Sequence, residues 1–224
     1  MKFDIKDWLA LFTKALHEEF GSRILFVGLQ GSYSRGESTL DSDIDIVVIL
    51  DSVTAEDLNK YSDLLDSLPA REKACGFISG KKEISNWERS DLFQFYHDTV
   101  LVLGDLNDIL PKIETHDILQ AIKISGCNLY HLCVHNMVHE KSFEILKELY
   151  KSARFTVQAI YFIKTGNYIK SKLKLMSLSD AQEQQILKIK TLLDNSEELS
   201  LEDFTYCSSY LMQWASNLIS KYNY

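Results

Sequence analysis

The stretch Gly31-Ser32-Tyr33-Ser34-Arg35-Gly36-Glu37-Ser38-Thr39-Leu40-Asp41-Ser42-Asp43-Ile44-Asp45-Ile46 decides how the rest of the chain is read. It joins two apolar runs. Ile24 to Leu29 is short, continuous and apolar and ends in Gln30-Gly31-Ser32, the pattern of a buried strand closed by a turn. Asp43 to Leu50 starts as strict alternation and becomes solidly apolar, so it reads as a second strand. Residues two apart on a strand face the same side. Asp43 and Asp45 therefore project together while Ile44 and Ile46 enter the core. Two carboxylates that close repel each other unless a cation sits between them. The natural occupant is Mg²⁺, a hard ion that favours oxygen ligands and also holds phosphates. Gly31 lets a phosphate approach the backbone, and Ser32 adds a hydroxyl and an N–H donor.

Other chemistries do not fit the same residues. A calcium loop opening at Asp41-x-Asp43-x-Asp45 needs Gly at its sixth position and Glu at its twelfth, where this chain has Ile46 and Ser52. No Gly-Lys-Ser/Thr follows Gly31-Ser32, which excludes a P-loop. A plain solvent-exposed strand edge leaves the apolar run directly after the two acids unaccounted for.

Working outward, apolar residues at 5, 8, 9, 12, 16 and 20 predict a helix stopped by Gly21-Ser22. A second helix runs from Ala55 to Leu68, before Pro69. Cys75–Ser79 reads as a weaker strand, turned back through Gly80-Lys81 into a hairpin reaching Ile84, and Thr99–Leu103 as a further strand closed by Gly104. After Pro111 there is no more proline, and four helices are expected over 116–138, 141–165, 179–194 and 200–221. Ser179-Asp180 and Ser200 are the expected N-caps. The domain boundary falls at 112/113, giving domains 1–112 and 113–224.

Composition sets the outer bounds. The 224 residues are 46% hydrophobic and 25% charged, with 9 Gly and 2 Pro. At about 100–200 residues per domain this makes one large domain or two small ones, and not a disordered, collagen-like or disulfide-built chain. Cys75, Cys127, Cys133 and Cys207 form no CxxC pair, which suits a reduced compartment. The start, Met1 to Trp8, has no signal-peptide stretch, and no apolar run approaches the roughly 20 residues of a membrane span. A soluble cytoplasmic protein is the expectation. The net charge of −8 belongs to residues 1–112, with 12 Lys/Arg against 20 Asp/Glu; residues 113–224 balance at 12 against 12. Glu37–Asp66 holds nine carboxylates and one lysine, Lys60, whereas 139–174 holds seven lysines and Arg154 against three glutamates. An acidic chain does not suit general DNA binding. A metal and a polyphosphate held between an acidic and a basic domain would use this asymmetry; two solvated faces are the plainer alternative.

Strand, Gly31-Ser32 and then Asp43-Ile44-Asp45 entering a second strand resemble the signature of the polymerase-β-like nucleotidyltransferase superfamily, over about residues 24–50. The resemblance implies that Ser32 and nearby backbone hold the β- and γ-phosphates and that Asp43 and Asp45 ligate Mg²⁺. An acceptor hydroxyl then attacks the α-phosphate of a nucleoside triphosphate and releases pyrophosphate. A small α/β domain followed by a helical bundle is similar to the aminoglycoside nucleotidyltransferases. Trp87-Glu88-Arg89-Ser90-Asp91-Leu92 and Tyr161-Phe162-Ile163-Lys164-Thr165-Gly166 resemble stretches of the streptomycin/spectinomycin adenylyltransferases. Lys170-Ser171-Lys172 departs from them, standing where those enzymes carry an acidic drug contact.

The superfamily usually adds a third acid from the next strand. Cys75–Ser79 has none, so Glu72, Glu83, Glu88 and Asp91 are the candidates, with Glu83 preferred. His131, His135 and His139 recur every four residues on one helix face. They can pack at a domain junction, supply a general base, or ligate zinc. The kanamycin nucleotidyltransferases resemble this in drawing an acidic base from a second-domain helix. Lys147, Lys151 and Arg154 also share a face and either meet a triphosphate or are solvated.

The expectation is therefore an α+β protein: a nucleotidyltransferase-fold mixed sheet flanked by helices, then a four-to-five-helix bundle forming the acceptor side of a cleft near Trp87, Tyr130 and His135. It would transfer a nucleoside monophosphate, AMP from ATP foremost, to a small-molecule hydroxyl, possessing two Mg²⁺ when nucleotide is bound. The residues expected in catalysis are Asp43, Asp45, Glu83 and His135, with Gly31, Ser32, Arg35 and Ser42 on the nucleotide. Partners would be a nucleoside triphosphate and the acceptor, not nucleic acid or membrane, with a homodimer as a further candidate. The alternative is an antitoxin-like or regulatory nucleotide-binding module with little catalysis.

Overall fold

The computed structural model describes residues 4–222; Met1–Phe3, where the stretch read for a leader begins, lie outside them. Helix α1 (Ile5–Phe20) starts at Asp4, whose carboxylate accepts the Lys6 N–H at 2.7 Å, and it buries Trp8, Phe12, Leu16 and Phe20 as a fourfold-spaced stripe. Gly21, at φ 53, ends it. Next come β1 (Ile24–Leu29), the short α2 (Gly31–Arg35), β2 (Ile44–Leu50) and α3 (Ala55–Asp66). Thr54 and Asp57 form a reciprocal capping box at the start of α3. Then follow β3 (Ala74–Gly80), α4 (Lys81–Ser85), α5 (Arg89–Asp98) and β4 (Val100–Gly104).

The four strands lie in the order β3-β2-β1-β4. β1 runs antiparallel to β2 and β4, while β2 and β3 are parallel and joined through α3. Alternation along β2 divides the sheet. Ile44, Ile46, Val48 and Leu50 join Val27 and Leu29 in a core with the α1 stripe and with Leu64 and Leu65 of α3. The other face carries Asp45, Val47 and Ile49. On that side Phe77 of β3 meets Trp87 and Phe95 edge-on, with ring centroids 5.8 and 5.5 Å apart.

Three local expectations are corrected. The hairpin through Gly80-Lys81 is instead α4, because β3 pairs in parallel with β2 and the chain must leave the sheet rather than fold back on itself. The turn after β1 is the five-residue α2. Helix α5 was not expected, since its apolar residues Leu92, Phe93, Phe95 and Tyr96 span little more than one helical turn, too short for a periodic signal.

The remaining chain forms α6 (Thr115–His135), a π-helical turn (Asn136–Glu140), α7 (Phe143–Thr165), the unforeseen α8 (Lys172–Leu178), α9 (Ala181–Asp194) and α10 (Leu201–Lys221). Their core includes Ile122, Tyr150, Val157, Leu187 and Leu211. The Tyr150 hydroxyl donates to the Cys207 carbonyl at 2.8 Å inside it, and burial raises the Cys133 thiol to about 11. A β-carbon at Gly126 of α6 would stand 3.1 Å from Cβ of Leu218, so glycine there permits close approach of α10.

The chain divides into two compact units. One runs to Glu88 and resumes over Phe95–Lys112; the other takes Arg89–Gln94 and everything from Ile113 onward. Within the second, Phe93 packs edge-on against Phe162 and Tyr168, which is how the first part of α5 joins the helical unit. Among the described residues no helix is long and apolar enough to cross a membrane.

Candidate active site

The two ends of the deciding stretch meet in space. Gly31 opens α2 at φ 67, in the left-handed region that favours glycine. A β-carbon there would lie 2.7 Å from Cγ of Asp45 and closer still to its Oδ2. The Asp45 carboxylate thus takes up the volume of the missing side chain. Gln30 fixes this contact. Its backbone N–H donates to the Asp45 carbonyl at 2.8 Å, and its side-chain Nε2 donates to Thr99 Oγ1 at 2.7 Å and to the Phe95 carbonyl at 3.3 Å. Ser34 Oγ donates to the Gly31 carbonyl at 2.9 Å and to the Asp98 carbonyl at 3.4 Å, pinning α2 to the end of α5.

The loop from α2 to β2 is bonded to itself. The Glu37 N–H returns to the Ser32 carbonyl at 2.9 Å after Gly36 takes φ 69. Ser42 Oγ accepts the Thr39 N–H at 2.9 Å, and the Ser42 N–H donates to the Thr39 carbonyl at 3.3 Å, so the two acids follow a closed turn. Arg35 Nε lies 3.0 Å from Glu37 Oε2. Asp43 stands one residue ahead of β2 and is exposed; Asp45 lies within β2 and is half-buried.

Glu83 does not join them. In the parallel register Asp45 pairs with Cys75, whereas Gly80 pairs with Leu50 at the other end of β2. At about 3.3 Å per residue the five-residue offset is about 16 Å. Glu83 Oε2 lies where a β-carbon of Gly80 would stand, at that far end. The expected third carboxylate is therefore misplaced, because α4 replaced the hairpin that would have returned it. The side chain beside Asp45, on the same face, is the exposed thiol of Cys75. Of the other candidates, Glu72 is exposed and lies two residues before Ala74, which pairs with Ile44.

His135 belongs to the helical unit and is exposed, with Nε2 3.4 Å from Glu140 Oε1. The face expected of Lys147, Lys151 and Arg154 is divided. Arg154 is buried over the Phe155 ring; Lys147 lies over Phe143, and Lys151 pairs with Glu148 at 3.1 Å. Gln30 and Thr99 escaped the sequence reading. The only available signal was a polar residue closing an otherwise apolar strand.

The donor set suits Mg²⁺. Asp43 and Asp45 are hard oxygen donors at the rim of the sheet, with Asp45 held in place by Gly31 and Gln30. Among the described residues no three His, Cys, Asp or Glu side chains gather as a metal cage. Mg²⁺ does not need one: it commonly takes one or two carboxylates and draws its other ligands from phosphates and water.

This fold and this pairing of a Gly-Ser turn with an Asp-x-Asp strand define a nucleotidyltransferase. Residues 9–125, more than half of the chain, match the nucleotidyltransferase domain family, and the chain belongs to that family. It is 35% identical over 86 residues to a protein of Methanocaldococcus jannaschii provisionally named as a protein adenylyltransferase, a match covering 37% of this chain and 81% of that one. Spectinomycin adenyltransferase AAD(9) from Enterococcus faecalis, solved with ATP and spectinomycin, has a similar fold. The TM-score is 0.62 at 15% identity, over 95% of this chain and 100% of that one.

Proposed function

We propose that this nucleotidyltransferase moves AMP from ATP to a hydroxyl of a small-molecule acceptor. The observation that carries the reading is the Asp45 carboxylate seated on Gly31, which joins a phosphate-approach turn to a metal-binding strand at one point. The small acceptor is favoured by the likeness to the spectinomycin enzyme, which runs through the helical unit as well as the sheet.

Asp43 and Asp45 would hold Mg²⁺, which supplies neutralisation of charge on the transferring phosphoryl group and orients nucleophile and leaving group. Ser32 and the first N–H groups of α2 donate to the triphosphate. Arg35, steadied by Glu37, adds positive charge, and Ser42 holds the turn that presents Asp43. The acceptor oxygen bonds to the α-phosphorus, the bond to the bridging oxygen of the β-phosphate breaks, and pyrophosphate leaves. The hydroxyl proton passes to water; β3 sets Cys75 beside Asp45.

A second reading, transfer to a protein, is favoured by the name of the archaeal relative. One experiment separates the two. The chain is incubated with labelled ATP, Mg²⁺ and either a panel of polyhydroxylated and aminocyclitol compounds or a protein extract. An AMP adduct on a small molecule with matching pyrophosphate release supports the proposal. Label recovered only on protein transfers it to the second reading, and no pyrophosphate from any mixture leaves a binding module.

A further inference from the structure

The helical unit carries a second group of chemistry-bearing side chains. His131, His135 and His139 are all exposed and share one sequence spacing, yet that spacing produces two geometries. Between His131 and His135, within α6, the ring centroids are 6.5 Å apart. Between His135 and His139, across the π-helical turn, they are 4.8 Å apart. Residues four apart on an α-helix are offset by about 40° around its axis. The wider π turn changes that offset, and such turns often mark functional sites.

This turn is held by design of the sequence. Asn136 is only 1% exposed; its Nδ2 donates to the Ser142 carbonyl and its Oδ1 accepts the Ser142 N–H, each at 2.9 Å. The Lys141 N–H closes the turn onto the Asn136 carbonyl at 2.6 Å, with Lys141 itself at φ 49. A non-glycine residue keeps that conformation only where its surroundings impose it.

We propose that His135 and His139, assisted by Glu140, bind a borderline divalent transition-metal ion of the zinc, nickel and copper class. Two imidazoles on one such ion, at metal–nitrogen distances of about 2.0–2.1 Å and a near-tetrahedral angle, have centroids about 5 Å apart. The His135–His139 pair matches this and the His131–His135 pair does not. Donor atoms of one tetrahedron lie about 3.4 Å apart at the same bond length, which is the distance from His135 Nε2 to Glu140 Oε1. No three ligating side chains already converge among the described residues. The two imidazoles therefore form the chelate, with Glu140 beside His135 and water filling the sphere. Imidazole selects these ions over Mg²⁺, so this site and the Asp43/Asp45 site differ in the metal they take.

The test is calorimetric titration of Zn²⁺ into the full chain, with Cu²⁺ electron paramagnetic resonance as a second readout. The expected result is one equivalent bound with a Kd of about 10 µM or tighter, weakened about tenfold or more by either His135→Ala or His139→Ala. Binding should persist in His131→Ala and in Asp43→Asn with Asp45→Asn, and the copper spectrum should lose one of two nitrogen couplings in His139→Ala. Cys127, an exposed thiol one helical turn before His131, is the competing donor. Loss of binding in Cys127→Ser but not in His139→Ala overturns the proposal, as does equal loss in His131→Ala and His139→Ala, or no binding as tight as about 10 µM.

Discussion

Strand β2 has acids at both ends, and the molecule treats them in opposite ways. At its C-terminal end Asp51 and Asp57 close on one guanidinium. Arg23 Nε lies 3.0 Å from Asp51, Nη1 2.6 Å from Asp57, and Nη2 donates to the Ser52 carbonyl at 3.0 Å. The hydrogen bond from Arg23, then that from the Thr54 N–H, holds the Asp57 carboxyl well below the usual carboxylate range. At the N-terminal end Asp45 stands on a glycine and Asp43 is exposed. Acids answered by an arginine and a helix cap build the fold. Acids stationed over a glycine at the strand rim are the ones we propose to serve a ligand.

The contrast can be broken by exchanging what each end needs. Gly31→Ala forces a β-carbon into the Asp45 carboxylate and leaves a left-handed φ on alanine, so the carboxylate must move. Misplacement of a reacting group on this scale costs about 100-fold or more in rate, read by pyrophosphate release. Unchanged turnover would detach Gly31 from the site. Gln30→Ala keeps the backbone bond to Asp45 but loses the side-chain bonds to Thr99 and Phe95. A fall of about tenfold in kcat with little change in KM is expected, and Gln30→Glu should not restore it, because a carboxylate cannot donate to Thr99 and Phe95.

At the other end, Asp57→Asn should leave turnover intact while lowering Tm at neutral pH. The sign follows from linkage. A carboxyl held below its unfolded value of about 3.9 contributes stability that is present above that pH and lost progressively as pH falls from there toward the folded value. The wild-type chain should therefore lose stability on acidification below about pH 4 more steeply than Asp57→Asn. Parallel acid-unfolding curves would remove Arg23 from the account. Glu83→Gln should show the smallest effect, with activity within about twofold of wild type, since the carboxylate sits about 16 Å along the sheet from Asp45.

How much of this was legible follows from the range over which each signal acts. Asp43-Ile44-Asp45 and the apolar run after it are local, and period two alone sends the acids one way and the isoleucines the other. The α1 stripe and the four long helices after Pro111, α6, α7, α9 and α10, are local in the same sense. Parallel pairing of β2 with β3 is not. No residue near Gly80 announces that β3 has no antiparallel partner to return to, so Glu83 was assigned to a strand that does not exist. Cys75 beside Asp45 and the Gln30–Thr99 bond likewise depend on strand order. The π turn depends on Asn136 reaching Ser142, a side-chain bond without a periodic signature.

The most direct test is calorimetric titration of ATP, with and without Mg²⁺, into the wild-type chain and into Asp43→Asn with Asp45→Asn. Magnesium-dependent binding is expected in the wild type, with loss of that dependence in the double variant and a Tm that stays level or rises as like charges are removed. Equal Mg·ATP affinity in both proteins would contradict this expectation.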